Sequence, residues 1–167
     1  MGFFDQLIRS DVFVYYDDVQ FDKHGWRNRN RIKTASGPHW LTVPVLHAGK
    51  FGQTNLEVEI DNRQQWARKH LGTIKQFYSK APYTNAYLPQ LEELLCSGWN
   101  SLVELDLAVV DLMCEWLNIK RKIVRSSQLG IPGTKSERLL GICKHFSADN
   151  YLSGDSAMDY LDIGLFA

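Results

Sequence analysis

Residues 101–117 place the strongest constraint on how this chain can fold. Ser101 and Glu104 have the spacing of a capping box, which predicts that a helix starts here. The helix is expected to run to about Leu117, and apolar side chains occupy almost every side of it: Leu102, Val103, Leu105, Leu107, Val109, Val110, Leu112, Met113, Trp116 and Leu117. Because a helix that is apolar all round must be covered by other elements, we expect it to lie in the interior.

The rest of the chain alternates between strand-like and helix-like segments. Strands are predicted at residues 12–16, 28–34, 40–45, 56–60, 122–125 and 151–152, and further helices at 3–8, 63–78, 88–95 and 134–146. Residues 36–38, Ser-Gly-Pro, have the composition of a turn, so the second and third strands are expected to form a hairpin. Strands separated by helices favour an α/β layer, and 167 residues fit one domain spanning residues 1–167.

The composition excludes several classes of protein. Lys plus Arg and Asp plus Glu number 19 each, so no net field draws the chain to nucleic acid. No apolar run approaches the roughly 18 residues that a membrane span needs. No zinc motif such as H-E-x-x-H is present, so no metal site is expected. Cys96, Cys114 and Cys143 form no C-x-x-C pair, which favours free thiols and a cytoplasmic location.

The balanced total charge hides one basic segment. No acidic residue occurs in residues 23–56, and this stretch contains the run Arg27-Asn28-Arg29-Asn30-Arg31. On a strand, the three arginines share one face and the two asparagines the other. Neighbouring guanidinium groups can hold phosphate oxygens in bidentate fashion, which predicts an anion site beside Trp26 and Trp40. The alternative is that the arginines form a solvated strand face opposite a core face. The two asparagines disfavour it, because amides on the core face would need hydrogen-bond partners there.

Polar side chains also follow the predicted strands. Asp17 and Asp18 end the first strand, where ligands of α/β proteins gather, so they are candidates for binding a divalent metal, for orienting a sugar hydroxyl or for a general base, although their spacing specifies no metal. The alternative is that they are turn residues. Ser126 and Ser127 offer donors to an anion or simply open a loop. His70, in the middle of a predicted helix, is either a base or a structural residue.

Several motifs taken together resemble the WbqC-like protein family. In chain order they include Tyr16-Asp17-Asp18-Val19-Gln20-Phe21, Trp26-Arg27-Asn28-Arg29-Asn30-Arg31, Ser126-Ser127 and Glu137-Arg138-Leu139. The resemblance implies an accessory enzyme of bacterial surface-polysaccharide and O-antigen (lipopolysaccharide) synthesis. It implies transfer of an acyl or aminoacyl group to a nucleotide-linked amino sugar. Family members also extend beyond both ends of the matching region, so this chain is expected to be a shortened member.

The combined interpretation is a Rossmann-like layered sheet with flanking helices and an inserted β-hairpin. The expected catalytic groups are Asp17, Asp18 and His70. Substrate-binding groups are expected at Gln20, Trp26, Arg27, Asn28, Arg29, Asn30, Arg31, Ser126, Ser127 and Arg138. The expected partners are a nucleotide-linked sugar and an acyl or aminoacyl donor or carrier protein, and no particular cofactor is indicated. Two alternatives stay open: a nucleotidyl-transfer enzyme, and a non-catalytic subunit that binds a sugar nucleotide or a carrier protein.

Overall fold

The structure is a computed structural model, which describes residues 2–154, 157 and 161–166. The chain divides into two compact units, and each has its own small sheet. The first unit combines Met1–Asp17 with Ile119–Ala167, and the second is Asp18–Asn118. That residues 1–167 form one domain stays a prediction.

Five α-helices and four β-strands make up the regular structure of the described residues. The helices are α1 Gly2–Arg9, α2 Trp66–Tyr78, α3 Thr84–Leu95, α4 Leu102–Trp116 and α5 Lys135–His145. The strands are β1 Val12–Tyr15, β2 Arg29–Thr34, β3 Gly37–Thr42 and β4 Lys122–Arg125. Short 3₁₀ turns occur at Asn55–Glu57, Asn62–Gln64, Ser126–Gln128 and Ile163–Phe166. None of the helices in the described part of the chain is long and apolar enough to cross a membrane.

The first unit is built on a parallel pair of strands. β1 pairs with β4 in parallel register, from Val12 beside Lys122 to Tyr15 beside Arg125. Leu7 of α1 is completely buried, and Tyr15 at the end of β1 is buried too. Because parallel strands end at the same edge, the residues that follow β1 and β4 are brought together there.

The second unit contains the hairpin, which confirms the predicted pairing of two strands in this region. β2 and β3 pair antiparallel, from Arg29 beside Thr42 to Thr34 beside Gly37. The turn lies at residues 35–36, so β3 starts earlier than predicted and includes Pro38. Proline has no N–H to donate. It is tolerated here because Pro38 stands at a position of β3 where the backbone N–H takes no part in the hydrogen bonds with β2.

The core of the second unit gathers around the start of α4. Ser101 caps this helix by accepting a hydrogen bond from the backbone N–H of Glu104 (3.5 Å). Leu102, Val103 and Leu105 are almost completely buried, whereas Leu117, after the helix, is exposed. The buried cluster comprises Phe21, Val58, Ile60, Trp66, Leu71, Leu95, Leu102 and Leu105. Val110 and Cys114 are buried as well, whereas Leu112 and Trp116 are half-buried, so the interior placement is confirmed for one face along the helix and not for all of its sides.

The strand predicted at residues 56–60 is wrong in conformation although its burial pattern is right. Val58 and Ile60 are buried while Glu57 and Glu59 are exposed, as the alternation required. The backbone nevertheless forms a 3₁₀ turn at Asn55–Glu57, followed by isolated bridges from Glu59 and Ile60. Alternating burial can be met by any segment that lies along a core, so it does not by itself require a sheet partner.

The Rossmann-like layered sheet is not confirmed. The described residues contain two separate two-stranded sheets, β1–β4 and β2–β3, in an arrangement of mixed helices and strands. Residues 151–152, predicted as a last strand, are not part of a strand. The coarser prediction of an α/β protein is confirmed, as is the hairpin.

Candidate functional site

A buried carboxylate lies at the edge where β1 and β4 end. Asp17 is completely buried, and its carboxylate accepts four hydrogen bonds. Oδ1 accepts from the Ser126 hydroxyl (3.0 Å) and the Ser127 backbone N–H (2.9 Å). Oδ2 accepts from the Ser127 hydroxyl (2.8 Å) and from Nε of Arg125 (2.7 Å). The Asp17 backbone N–H in turn donates to Ser126 Oγ (3.2 Å).

The surroundings keep Asp17 ionised. Burial by itself would raise the pKa of this carboxyl, but the hydrogen bonds from Arg125, Ser127 and Ser126 together hold the pKa below its ordinary value. A carboxylate with a lowered pKa and four donors is a weak proton acceptor. This geometry is that of a carboxylate that positions its neighbours, and the catalytic role that the sequence interpretation gave Asp17 stays a prediction.

The two serines are engaged in the same cluster. Both hydroxyls and the Ser127 N–H point at Asp17, so they bind a protein carboxylate where the sequence interpretation expected a substrate anion. Arg125, the last residue of β4, was not among the predicted site residues, although its place directly before the serine pair was a usable signal. Arg138 of α5 lies with its guanidinium 5.1 Å from the ring centre of Tyr16, the residue preceding Asp17.

A second candidate site covers one face of the β2–β3 hairpin. The Val43 N–H donates to the Asn28 carbonyl (2.7 Å), which continues the ladder and places Arg31 and Trp40 opposite each other at a non-hydrogen-bonded pair. Side chains approach most closely at such pairs, whose Cα atoms are about 4.5 Å apart. The Arg31 guanidinium accordingly lies 5.3 Å from the Trp40 ring centre.

Trp26 completes this surface, which we call the indole–guanidinium face: Trp26, Arg29, Arg31 and Trp40. The two indole rings lie 4.8 Å apart at an angle of 45°. Arg29 lies 4.7 Å from the Trp40 ring centre, and Arg31 lies 5.0 Å from that of Trp26. Trp26 remains 58% exposed and Trp40 41% exposed. Exposed indoles flanked by cations can stack a flat or apolar ligand face beside an anionic group.

The two arginines of this face are held differently. The Arg29 guanidinium donates from Nε to the Gly25 carbonyl (2.9 Å) and from Nη2 to the His24 carbonyl, so it fixes the loop that carries Trp26. The side chain of Arg31 is exposed and makes no hydrogen bond with the residues that the structure describes. Arg31 is therefore the better placed of the two to bind a phosphate.

The asparagines of the basic run bind backbone groups. Asn30 Oδ1 accepts from the Arg31 N–H (2.8 Å), which satisfies an outward-facing donor on the edge of β2. Asn28 is buried and its Nδ2 donates to the Val43 carbonyl (2.9 Å), while its Oδ1 has no partner among the described residues. Neither amide lies with the guanidinium groups. Arg27 precedes β2, and Gln20 is exposed and bridges Thr54.

Helix α2 crosses the opposite side of the hairpin. The Tyr78 hydroxyl accepts from the Lys33 N–H at the outer edge of β2 (3.1 Å), and Nε2 of His70 bonds the Thr42 carbonyl at the outer edge of β3 (3.1 Å). The rings of Phe77 and His39 approach to 6.3 Å between these two points. The helix covers one face of the hairpin and leaves the indole–guanidinium face exposed.

His70 is held as a neutral ring in a defined tautomer. Burial lowers the pKa of His70 below its ordinary value, although the hydrogen bond to Thr42 acts in the opposite direction. A carbonyl oxygen can only accept, so Nε2 carries the proton and Nδ1 carries the lone pair. The Trp66 ring packs against it edge-on at 5.5 Å. His70 thus ties α2 to β3 and keeps one basic nitrogen.

The predicted site residues are divided between the two units. Asp17, Ser126, Ser127 and Arg138 belong to the first unit, and Asp18 and His70 belong to the second, together with Gln20, Trp26, Arg27, Asn28, Arg29, Asn30 and Arg31. Within the second unit the structure brings Trp26, Arg29 and Arg31 together with Trp40, which was not among the predicted substrate-binding residues. In the described parts of the chain, no group of three or more acidic, His or Cys side chains is arranged to hold a metal ion.

These features define an α/β protein with a buried carboxylate cluster and an exposed indole–guanidinium face. The chain belongs to the WbqC-like protein family, which it matches over residues 1–167. An uncharacterized protein of Mycobacterium tuberculosis, Rv1507c, is 36% identical over 166 residues, which are 99% of this chain and 71% of that protein. No solved structure matches the chain significantly. The resemblance seen in the sequence motifs is confirmed.

Proposed function

We propose that this protein binds a nucleotide-linked amino sugar on the indole–guanidinium face and transfers an acyl or aminoacyl group to it in bacterial surface-polysaccharide synthesis. The observation that carries the proposal is the pair of exposed indoles flanked by Arg29 and Arg31. A nucleotide-linked sugar has flat or apolar faces that stack on indole and a diphosphate that binds guanidinium. Membership of the WbqC-like family supports the assignment to surface-polysaccharide (O-antigen) synthesis.

The chemistry of this transfer requires one proton acceptor. The sugar amine attacks the acyl carbonyl, the new C–N bond forms, the bond to the donor's leaving group breaks, and a base takes the amine proton. His70 is one candidate for this base because its ring is neutral and its Nδ1 carries a lone pair, and the role requires the sugar amine to reach past the edge of β3 from the indole–guanidinium face to α2. Asp18 is the other candidate for the role. An acyl or aminoacyl donor or a carrier protein is the second partner of the proposal.

A second candidate function is a non-catalytic subunit that binds the sugar nucleotide for a partner enzyme. One observation favours it: Asp17, Ser126 and Ser127, predicted as site groups, bond to one another. Binding is then the whole function of the chain. Both candidates require the same ligand on the same face, and they differ in whether a product forms.

Calorimetric titration with a panel of nucleoside-diphosphate sugars tests the shared part of the proposal. Arg31→Ala and Trp40→Ala should each weaken binding by about tenfold or more, which corresponds to about 1.4 kcal/mol. Arg31→Lys should also lose affinity, because an ammonium lacks the bidentate fork. Lys33→Ala is the matched control, since it removes a cation from the same strand without removing a guanidinium from the indoles.

The outcomes separate the candidates. The proposal is contradicted if Arg31→Ala, Trp40→Ala and Arg31→Lys all bind as the wild type does. It is also contradicted if no nucleotide sugar of the panel binds. Where binding holds, incubation with an amino-sugar nucleotide and acyl or aminoacyl donors, followed by mass spectrometry of the nucleotide, decides between the two functions. A gain of one acyl mass supports the transferase, and binding without any such product supports the subunit. Loss of the product in Asp18→Asn or in His70→Gln, with folding and ligand binding intact, identifies which of the two residues is the base.

A further inference from the structure

We propose that Asp22, Gly25 and Arg29 form a clamp that sets the position of Trp26, the indole on which the ligand stacks. The inference rests on the function proposed above, because it concerns the same indole–guanidinium face. Trp26 is 58% exposed and lies in the loop of residues 22–27, outside both strands of the hairpin. Side chains on surface loops are ordinarily mobile, so an indole that serves as a binding surface needs a loop that specific bonds hold in place.

Asp22 closes a tight turn at the start of this loop. Its Oδ1 accepts from the His24 N–H (2.9 Å), and its backbone carbonyl accepts from the Gly25 N–H (3.0 Å). An aspartate that bonds a backbone N–H two residues further on stabilises a turn of this kind. A Cβ at Gly25 would lie only 3.0 Å from Asp22 Oδ2 and 3.2 Å from the Asp22 carbonyl oxygen. The turn therefore has no room for a larger residue at position 25 unless Asp22 moves.

Arg29 holds the same loop from the side of the hairpin. Its Nε donates to the Gly25 carbonyl (2.9 Å), and its Nη2 donates to the His24 carbonyl. One planar guanidinium group thus binds the two successive carbonyls that precede Trp26. Arg29 is itself fixed in β2, where it pairs with Thr42 of β3. The clamp therefore connects the backbone before Trp26 to the hairpin that carries the rest of the face.

The position that results leaves Trp26 as the indole with the larger free surface. The two indole ring centres lie 4.8 Å apart, whereas a flat ligand between two rings needs about 7 Å, since stacked carbon atoms are about 3.5 Å apart. The Trp40 ring also has two cations beside it, Arg29 at 4.7 Å and Arg31 at 5.3 Å. Trp26 has Arg31 at 5.0 Å and is the more exposed of the two indoles. A ligand that stacks on Trp26 has the Arg31 guanidinium beside it for its phosphate.

Affinities of Asp22 variants for the same panel of nucleoside-diphosphate sugars test the clamp by the sign of the effect. Asp22→Ala removes a negative charge, which by charge alone should strengthen the binding of an anionic ligand. We expect the opposite, a loss of about fivefold or more, because the loop must be ordered anew on binding. Asp22→Asn removes the same charge but keeps the Oδ1 acceptor, so it should bind at least as tightly as the wild type. Gly25→Ala should weaken binding as Asp22→Ala does, and Glu93→Ala, which removes an exposed carboxylate of α3, is the matched control.

¹⁹F NMR of protein labelled with fluorotryptophan reports the position of Trp26 without any ligand. The chain has five tryptophans, and the signal that is lost in Trp26→Phe belongs to Trp26. Trp40→Ala gives the chemical shift of Trp26 without its aromatic neighbour. The variants that open the clamp should each move the signal toward that value: Asp22→Ala, Gly25→Ala and Arg29→Ala. Asp22→Asn should leave it in place, and the signal of Trp66, a residue of the buried core, should stay constant because the fold is intact.

The outcomes separate the clamp from the proposed function. The clamp is wrong if the Trp26 signal stays at its wild-type position in Asp22→Ala and Gly25→Ala. Its role in binding is wrong if the signal moves while the affinity is unchanged, or if Asp22→Asn weakens binding as much as Asp22→Ala. If the wild type binds no nucleotide sugar, the proposed function fails, whereas the ¹⁹F signals still decide whether the clamp holds Trp26.

Discussion

Replacing Asp17 by Asn should destabilise the protein strongly, although the two side chains have the same shape. The amide keeps one oxygen for Ser126 and the Ser127 N–H, but it places an NH₂ group opposite the Nε–H of Arg125. Two donors then face each other, and the ion pair between Arg125 and Asp17 is lost. Removal of one member of a buried ion pair costs about 3–5 kcal/mol. Because the Arg125 side chain is 23% exposed, we expect the low end, about 3 kcal/mol.

Urea denaturation at pH 7, followed by circular dichroism, measures this loss. Asp5→Asn is the matched control in the same unit, since it removes an exposed ion pair with Arg9 whose charged atoms are 3.6 Å apart. That control should change the free energy of unfolding by less than about 0.5 kcal/mol. A loss for Asp17→Asn of less than about 1 kcal/mol, on the scale of ordinary surface changes, would refute the positioning role assigned to this carboxylate.

The pH dependence of the same variant checks the cause. The pKa of Asp17 is lowered in the folded state, so the stabilisation from its ionised form is complete above the ordinary value of 3.8 and is lost as the pH falls through the folded pKa. The difference in unfolding free energy between wild type and Asp17→Asn should therefore be constant at neutral pH and shrink below about pH 4. A difference that stays constant down to pH 2 would contradict an electrostatic origin.

Two further outcomes are expected. Leu105→Ala should cost about 2–5 kcal/mol in denaturant unfolding, because Leu105 is almost completely buried in the core of the second unit, and a loss below about 0.5 kcal/mol would show that the core is placed wrongly. The imidazole of His70 should titrate below 6.5 in NMR spectra, so its contribution to stability should be lost as the pH falls from 6.5 through the folded pKa; a midpoint at or above 6.5 would contradict its burial against Trp66.

Local patterns in the sequence were sufficient for several elements. The apolar residues after Ser101 predicted a buried helix, because a helix that is apolar on almost every side must be covered by other elements. The alternation in residues 28–34 placed Arg29 and Arg31 on one strand face, where the structure has them. The acidic and apolar alternation at residues 56–60 correctly indicated which side chains are buried. In each case the signal lies within one segment, and the physics that acts on it is short-ranged.

The partners of these side chains were decided only by the tertiary structure. Asp17 bonds to Arg125, Ser126 and Ser127, which lie 108 to 110 residues away along the chain. Nothing in the acidic pair itself distinguishes a base from a carboxylate held by four donors, because its pKa depends on groups brought there by the parallel pairing of β1 and β4. The chemistry of a side chain depends on its neighbours in space, and the spacing of residues along the chain does not specify which neighbours those are.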